Sequence, residues 1–338
     1  MELPLSPAMT DYTLHLYAGE SLVGALAFDS ASESFSLEYA PEWAQSPQGF
    51  ALSPHLPLSG GASSATLRRF IENILPEGRA LDVASMYSNI QKNNIFGLIR
   101  QLGRETAGAL SFLPAGQTPR MQEPLRRLVS REELQMRIET RNHMPFTVWD
   151  GRVRVSVAGF QDKLLALVDD GGIFLADGAL ASTHILKPEP LNPNTPHMVA
   201  NEHFCMRLAS RISLRRHGQD HAARVDILRM PSPVLAIQRF DRAKTHTSIE
   251  RIHIIDGCQA LDMPVSAKYE RNLGNGTDVR HIRDGVSFER LMHIRPTWNS
   301  PPWASKGWCC GRSPRCCWAT AMRTEKTSLF IAARRGCA

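Results

Sequence analysis

The residues best suited to chemistry are a lysine, a glutamate and a loop of small residues. The loop is Ser156-Val157-Ala158-Gly159-Phe160-Gln161-Asp162-Lys163. A segment that cradles phosphates needs small side chains, so that backbone N–H groups can approach the oxygens. Ser156, Ala158 and Gly159 meet that need, although a plain hairpin fits the same letters. Lys187 ends the apolar run Thr183-His184-Ile185-Leu186-Lys187-Pro188. There its ammonium can reach nucleotide phosphates, or simply lie solvated at a strand end. Fourteen residues later Asn201-Glu202 opens a helical stretch. Glu202 can orient Lys187, as a helix glutamate orients a strand lysine in protein kinases, or it can be an ordinary acid in a first helical turn. Gln238-Arg239-Phe240-Asp241-Arg242 closes another apolar run. A strand ending there offers backbone groups to an adenine and Phe240 to stack on it. The alternative is a core-strand edge carrying a surface ion pair.

These residues need elements to hold them. Period-two alternation over residues 11–40, with Gly19 and Gly24 as punctuation, predicts small antiparallel strands. Helical spacing follows in LRRFIENILPEGRALDVASMY and NNIFGLIRQLG, and ETAGALSFLP reads as a returning strand. This first unit ends near Pro119. Residues 120–145 read as a connection containing one helix, REELQMRIETR. The second unit reads as strand, turn, strand, hairpin at Asp169-Asp170-Gly171-Gly172, strand. STHILKPEP is a strand, NEHFCMRLASRISL a helix, and ARVDILRM and PVLAIQRFDR two more strands. GCQALDMP is a short helix. Five strands with one helix after the third or fourth suit a nucleotide-binding kinase N-lobe.

Composition narrows the classes. No apolar run approaches the length of a membrane span, and the N-terminus lacks the pattern of a secretory signal, so the cytoplasm is the expected location. The net charge of +6 invites a nucleic-acid reading, but its distribution opposes one. Residues 295–338 hold eight Lys/Arg and one Glu, a net +7, which leaves the other 294 residues at −1. The same tail holds five of the seven Cys and four of the six Trp. Cys205 and Cys258, in the body, suggest a reduced protein without a disulfide framework.

In their order and spacing, SVAGFQDK, STHILKPE, NEHFCMRLA, QRFDR and DGCQALDMPVSAKYE resemble the HipA family of bacterial serine/threonine kinases. FALSPHLPLSGG, FIENILPEG and IRQLGRETAGALSFLP resemble that family's N-terminal domain. The likeness runs over about residues 10–294. It implies an α+β fold: a small β-rich N-terminal domain (1–119), a connecting helix (120–145), and a kinase-like domain (146–294) holding the N-lobe and an incomplete C-lobe. It also implies ATP and Mg²⁺, phosphorylation of protein Ser/Thr on targets that include aminoacyl-tRNA synthetases, and a HipB-like helix-turn-helix antitoxin through which DNA is reached indirectly. By resemblance Ser156 is the autophosphorylated serine and Lys187 the phosphate lysine. Ser156, Val157, Ala158, Gly159, Phe160, Gln161, Lys163, Lys187, Glu202, Gln238 and Phe240 form the expected nucleotide site. Gln238 stands where many relatives carry Glu, which a backbone contact to adenine tolerates.

The pattern stops near Arg295. The family's catalytic loop, an N-x-D-x-H-x-K-N run whose Asp orients the substrate hydroxyl and whose Asn holds Mg²⁺, is absent, and no Asp follows Asp284. We therefore expect no catalytic and no metal-ligating residue in this chain. The codons of Cys317–Ser328, read from each third base, permit L-G-N-G-D-A-H-G-K-N-I-S; Trp318-Ala319 forces the first glycine. A frameshift near Arg295 is expected, with a truncated kinase as its product and residues 295–338 as an aberrant, poorly packed tail. A leucine codon read out of frame gives cysteine, which accounts for Cys309-Cys310 and Cys316-Cys317 without a zinc site. The alternative to an inactive kinase is a non-catalytic remnant that still binds antitoxin or nucleotide.

Overall fold

The computed structural model describes residues 12–154, 161–218, 220, 222–245, 248–268, 271–272, 276–279, 281, 283–293, and the stretches 316–321 and 328–333. The N-terminal sheet is antiparallel, with strands β1 (Thr13–Ala18), β2 (Ser21–Asp29), β3 (Ser34–Tyr39) and β4 (Leu110–Pro114) in the order β3-β2-β1-β4. Alternation along β1 drives Leu14 and Leu16 into the core. Helices α1 (Pro41–Gln45), α2 (Ser64–Ile74), α3 (Arg79–Ser88) and α4 (Ile95–Leu102) fill the β3–β4 connection. The Ser63 hydroxyl caps α2 by accepting from Thr66 N at 3.1 Å. Leu75, which precedes Pro76, is forced extended, and that ends α2 before α3 begins. Phe70, Ile71, Leu98 and Ile99 pack against Leu14, Leu16 and Leu26.

Chain beyond Pro119 builds a second sheet. Its strands are β5 (Leu125–Val129), β8 (Leu164–Asp169), β9 (Gly172–Asp177), β10 (His184–Pro188), β11 (Val225–Leu228) and β12 (Val234–Gln238), in the order β11-β12-β10-β8-β9-β5. The short pair β6 (Val148–Trp149) and β7 (Arg152–Val153) stands beside it. The β8–β9 hairpin turns through Asp170 and Gly171, both at positive φ, as the Asp-Gly signal requires. The segment read as a connection is not a free linker. It supplies the edge strand β5, and its helix α5 (Arg131–Glu139) buries Leu134 and Ile138 in the same core as Leu164, Leu186 and Val234. Helix α6 (Met198–His217) covers the β11–β12 end through Val199 and Met206.

After β12 come β13 (Arg242–Lys244), β14 (Ile249–Arg251), β15 (Ile254–Asp256), α7 (Gly257–Leu261), β16 (Arg271–Asn272), β17 (Arg283–Asp284) and α8 (Phe288–Met292). Ile255, Ala260 and Leu291 belong to the N-terminal core rather than to the second sheet's. The tail was expected to pack poorly. Two stretches of it, β18 (Cys316–Ala321) and β19 (Ser328–Ala333), form a hairpin, and β19 pairs with β15 from Ile254↔Ala332 to Asp256↔Phe330. Such backbone pairing at an open strand edge asks little of the side chains, and the rest of the tail lies outside the described residues. The hairpin is no kinase C-lobe.

Candidate nucleotide site

Lys187 lies near the end of β10, with its side chain 9% exposed. Its Nζ donates to Glu202 Oε1 at 2.5 Å, and the Glu202 side chain is 7% exposed. A buried ammonium needs such a partner, because desolvating an unpaired charge is expensive. The Lys187 reading as a freely solvated surface lysine therefore fails. So does the reading of Glu202 as a first-turn acid. Helix α6 begins at Met198, so its first turn ends before Glu202 and holds no acid.

The helix start is held by Glu189 instead, a residue that sequence reasoning passed over. Its two carboxylate oxygens accept from Met198 N at 2.5 Å and Val199 N at 3.1 Å. Those amides have no intrahelical acceptor, and a carboxylate also suits the positive end of the helix. Glu189 lies two residues after Lys187. One short link thus fixes α6 relative to β10 and sets Glu202 opposite Lys187. Arg141 braces the same link, since its Nη2 donates to the Glu189 carbonyl at 2.5 Å.

Ser156, Val157, Ala158, Gly159 and Phe160 lie outside the described residues. The chain that leaves them is placed: Leu164 pairs with Leu186, next to Lys187. Gln161 is half-buried and its Oε1 has no hydrogen-bond partner, while Lys163 is buried at 1% exposure. At the other end of the sheet His184 pairs with Gln238, whereas Lys187 pairs with Leu235. Three register steps separate the lysine from Gln238, about 10 Å along β12. The Gln238 amide donates to the Arg224 carbonyl at 2.9 Å, and Phe240 packs beside the cluster of Val199, Met206 and Ile237.

The ion pair of the QRFDR segment is not at the surface. Asp241 Oδ2 accepts from Arg239 Nη2 and from Arg242 Nη1, each at 2.7 Å, and both guanidinium groups are 2% exposed. Gly108 N, from the N-terminal domain, donates to the same Oδ2 at 2.8 Å. Glu105 accepts from Ser182 N at 2.7 Å and faces Arg239 and Arg242 at 3.5 Å. Burial disfavours the Asp241 carboxylate, but Arg239 and Arg242 outweigh it and hold its pKa well below the usual carboxylate range. This network anchors the strand end carrying Gln238 and Phe240 to the N-terminal domain. A second buried anchor joins Lys268 to Glu77 at 2.8 Å and to Asp256 at 2.9 Å. A cleft of about 1410 Å³ lies elsewhere; Arg100, Arg104, Arg154 and Arg251 line it, and Lys187 and Glu202 do not.

A buried lysine–glutamate pair between a strand and the following helix is an arrangement that protein kinases use to hold nucleotide phosphates. Comparison with known proteins gives the family. The HipA N-terminal domain model matches residues 14–113 and the HipA-like C-terminal domain model residues 155–294. The chain belongs to the HipA family. It is 39% identical over 292 residues to the serine/threonine-protein kinase toxin HipA of Shewanella oneidensis, covering 86% of this chain and 64% of that protein. It is 30% identical over 294 residues to a Sinorhizobium fredii protein named provisionally as a kinase, covering 85% of this chain and 67% of that one. The structure is similar to the Shewanella HipA solved with HipB and operator DNA: TM-score 0.69 at 40% identity, over 82% of this chain and 63% of that one. The chain thus spans just under two thirds of the length of the Shewanella HipA. The C-terminal domain match ends at residue 294, where the composition changes. Among the described residues no helix is long and apolar enough to cross a membrane.

Proposed function

We propose that this chain is a HipA-type kinase module that holds ATP but transfers no phosphoryl group. The carrying observation is the buried Lys187–Glu202 pair at 2.5 Å. Glu202 fixes the ammonium, and the ammonium holds the phosphates. Leu164, which follows the 155–163 segment, pairs with Leu186, and by the family's pattern the backbone of that segment shares the load. The purine belongs at Gln238–Phe240, about 10 Å along β12, a span that a nucleoside triphosphate bridges. When bound, ATP supplies the transferable group, and the chain's own residues bind and orient it.

Transfer asks for more. Its acceleration comes from aligning the acceptor hydroxyl and stabilising charge with metal and cationic groups. No Asp follows Asp284, and among the described residues no group of three His, Cys, Asp or Glu could hold a metal. Lys187, held by Glu202, fits the phosphates of a nucleotide. Binding the ground state alone leaves the chemical barrier where it was. An out-of-frame origin for residues 295–338 accounts for their eight cations, five cysteines and four tryptophans, and sequencing the gene across that junction checks it. By the family's pattern the partner is a HipB-like helix-turn-helix antitoxin, and DNA is reached only through it.

Thermal unfolding with and without ATP tests the nucleotide reading. A ligand that binds only the folded state raises Tm. We expect ATP to stabilise the full chain, and expect Lys187→Ala and Glu202→Gln to abolish most of that increment. An increment unchanged in Lys187→Ala would place the nucleotide elsewhere.

A further inference from the structure

Helix α6 buries Val199, Glu202 and Met206 against the sheet. At about 100° per residue, Phe204, Leu208 and Ile212 fall on the opposite face. They are 65%, 46% and 49% exposed. Three large apolar side chains at four-residue spacing thus form one stripe along a single well-formed helix, where an isolated surface helix would carry polar residues. Arg207, Arg211, Arg215 and Arg216 are exposed on the same helix. None of the four has an ion pair among the described residues, and the only acid of α6, Glu202, points inward to Lys187. The outward face is therefore apolar along its middle and cationic at its borders.

We propose that this face is a docking surface for an acidic amphipathic helix of another protein. Such a partner lays leucine-like side chains at three- and four-residue spacing along the Phe204–Leu208–Ile212 stripe and sets its carboxylates on the flanking arginines. The charge pattern selects this occupant. The tail of the chain, with one Glu, offers no acidic helix of its own. An anionic bilayer would call for a long apolar face lying in the interface. The stripe is short, three side chains over about 12 Å of helix, the footprint of two turns rather than of a membrane-lying face.

The docking surface stands on α6 alone and does not need the nucleotide reading. Only its consequence rests on that reading. Glu202 occupies the inner side of the same turns, so an occupant that holds α6 also holds the carboxylate against Lys187.

A fluorescein-labelled peptide of leucine, glutamate and alanine tests this, with leucines on one helical face and glutamates beside them. Fluorescence anisotropy with the full chain, without ATP, should show saturable binding. A scrambled peptide of the same composition should bind far less. Leu208→Ser should weaken binding about tenfold or more, as removing a buried leucine contact does. Arg211→Glu combined with Arg215→Glu should do the same while leaving the circular dichroism spectrum unchanged. If Leu208→Ser lowers helix content, the charge variant decides. No binding, equal binding of the scrambled peptide, or binding indifferent to both variants overturns the proposal. So does binding of phosphatidylglycerol vesicles that these variants abolish while the peptide does not bind, which would assign the face to a membrane.

Discussion

Asp241 is the residue whose loss should cost most outside the nucleotide site. It is surrounded by Arg239 and Arg242 and takes the Gly108 amide, all buried. Asp241→Asn leaves two buried guanidinium groups without their main counter-charge. Removing one partner of a buried pair typically costs about 3–5 kcal/mol. Urea unfolding should show a loss of that order, and a loss below about 1 kcal/mol, as for an exposed pair, would refute the account of this network. His253 makes a pH prediction. Its Nε2 donates to the Leu52 carbonyl at 3.0 Å, its Nδ1 has no partner, and its ring stacks on Phe50. Burial pushes its pKa down to about 4, against a smaller opposing effect of the Leu52 carbonyl. The folded state then binds fewer protons than the unfolded state between about pH 6.5 and the folded value, so stability falls as pH drops through that window. From neutral pH to about pH 5 the loss is on the order of 2 kcal/mol. His253→Gln, whose amide can still donate to Leu52, should flatten that limb of a urea-midpoint profile. An unchanged slope would assign the acid sensitivity to other groups.

Among the elements, α6 depends on a cap that lies outside it. Glu189→Ala frees the Met198 and Val199 amides and should cost about 1–2 kcal/mol, with a larger fractional loss of ATP stabilisation because Glu202 moves with the helix. Equal ATP increments in Glu189→Ala and the parent chain would show that the cap does not position Glu202. The elements themselves were largely legible. Alternation located the N-terminal strands, the Asp-Gly turn located the β8–β9 hairpin, and Lys187 and Glu202 stood out because strand and helix patterns each put a charge at one end. Glu189 was illegible because its role depends on a reversal of the chain between residues 190 and 197. The QRFDR ions were read as surface groups because their burial comes from Glu105, Thr106 and Gly108, more than 130 residues away. The 120–145 segment looked like a linker because the β9 edge that accepts β5 follows it in sequence.

At the scale of the molecule, two units are welded by buried charges: Asp241 with its arginines at one seam, Lys268 with Glu77 and Asp256 at another. The proposed nucleotide site, with Lys187 and Glu202, lies within the C-terminal family match, which covers residues 155–294. The central claim is that this chain binds ATP through Lys187 and goes no further. Incubating the purified full chain with γ-labelled ATP and Mg²⁺, then measuring retained and covalent label on the same sample, tests it most directly. The account predicts retained label that Lys187→Ala removes, and no covalent label on Ser156. Covalent label on Ser156 that disappears in Lys187→Ala would contradict it, by showing a working kinase.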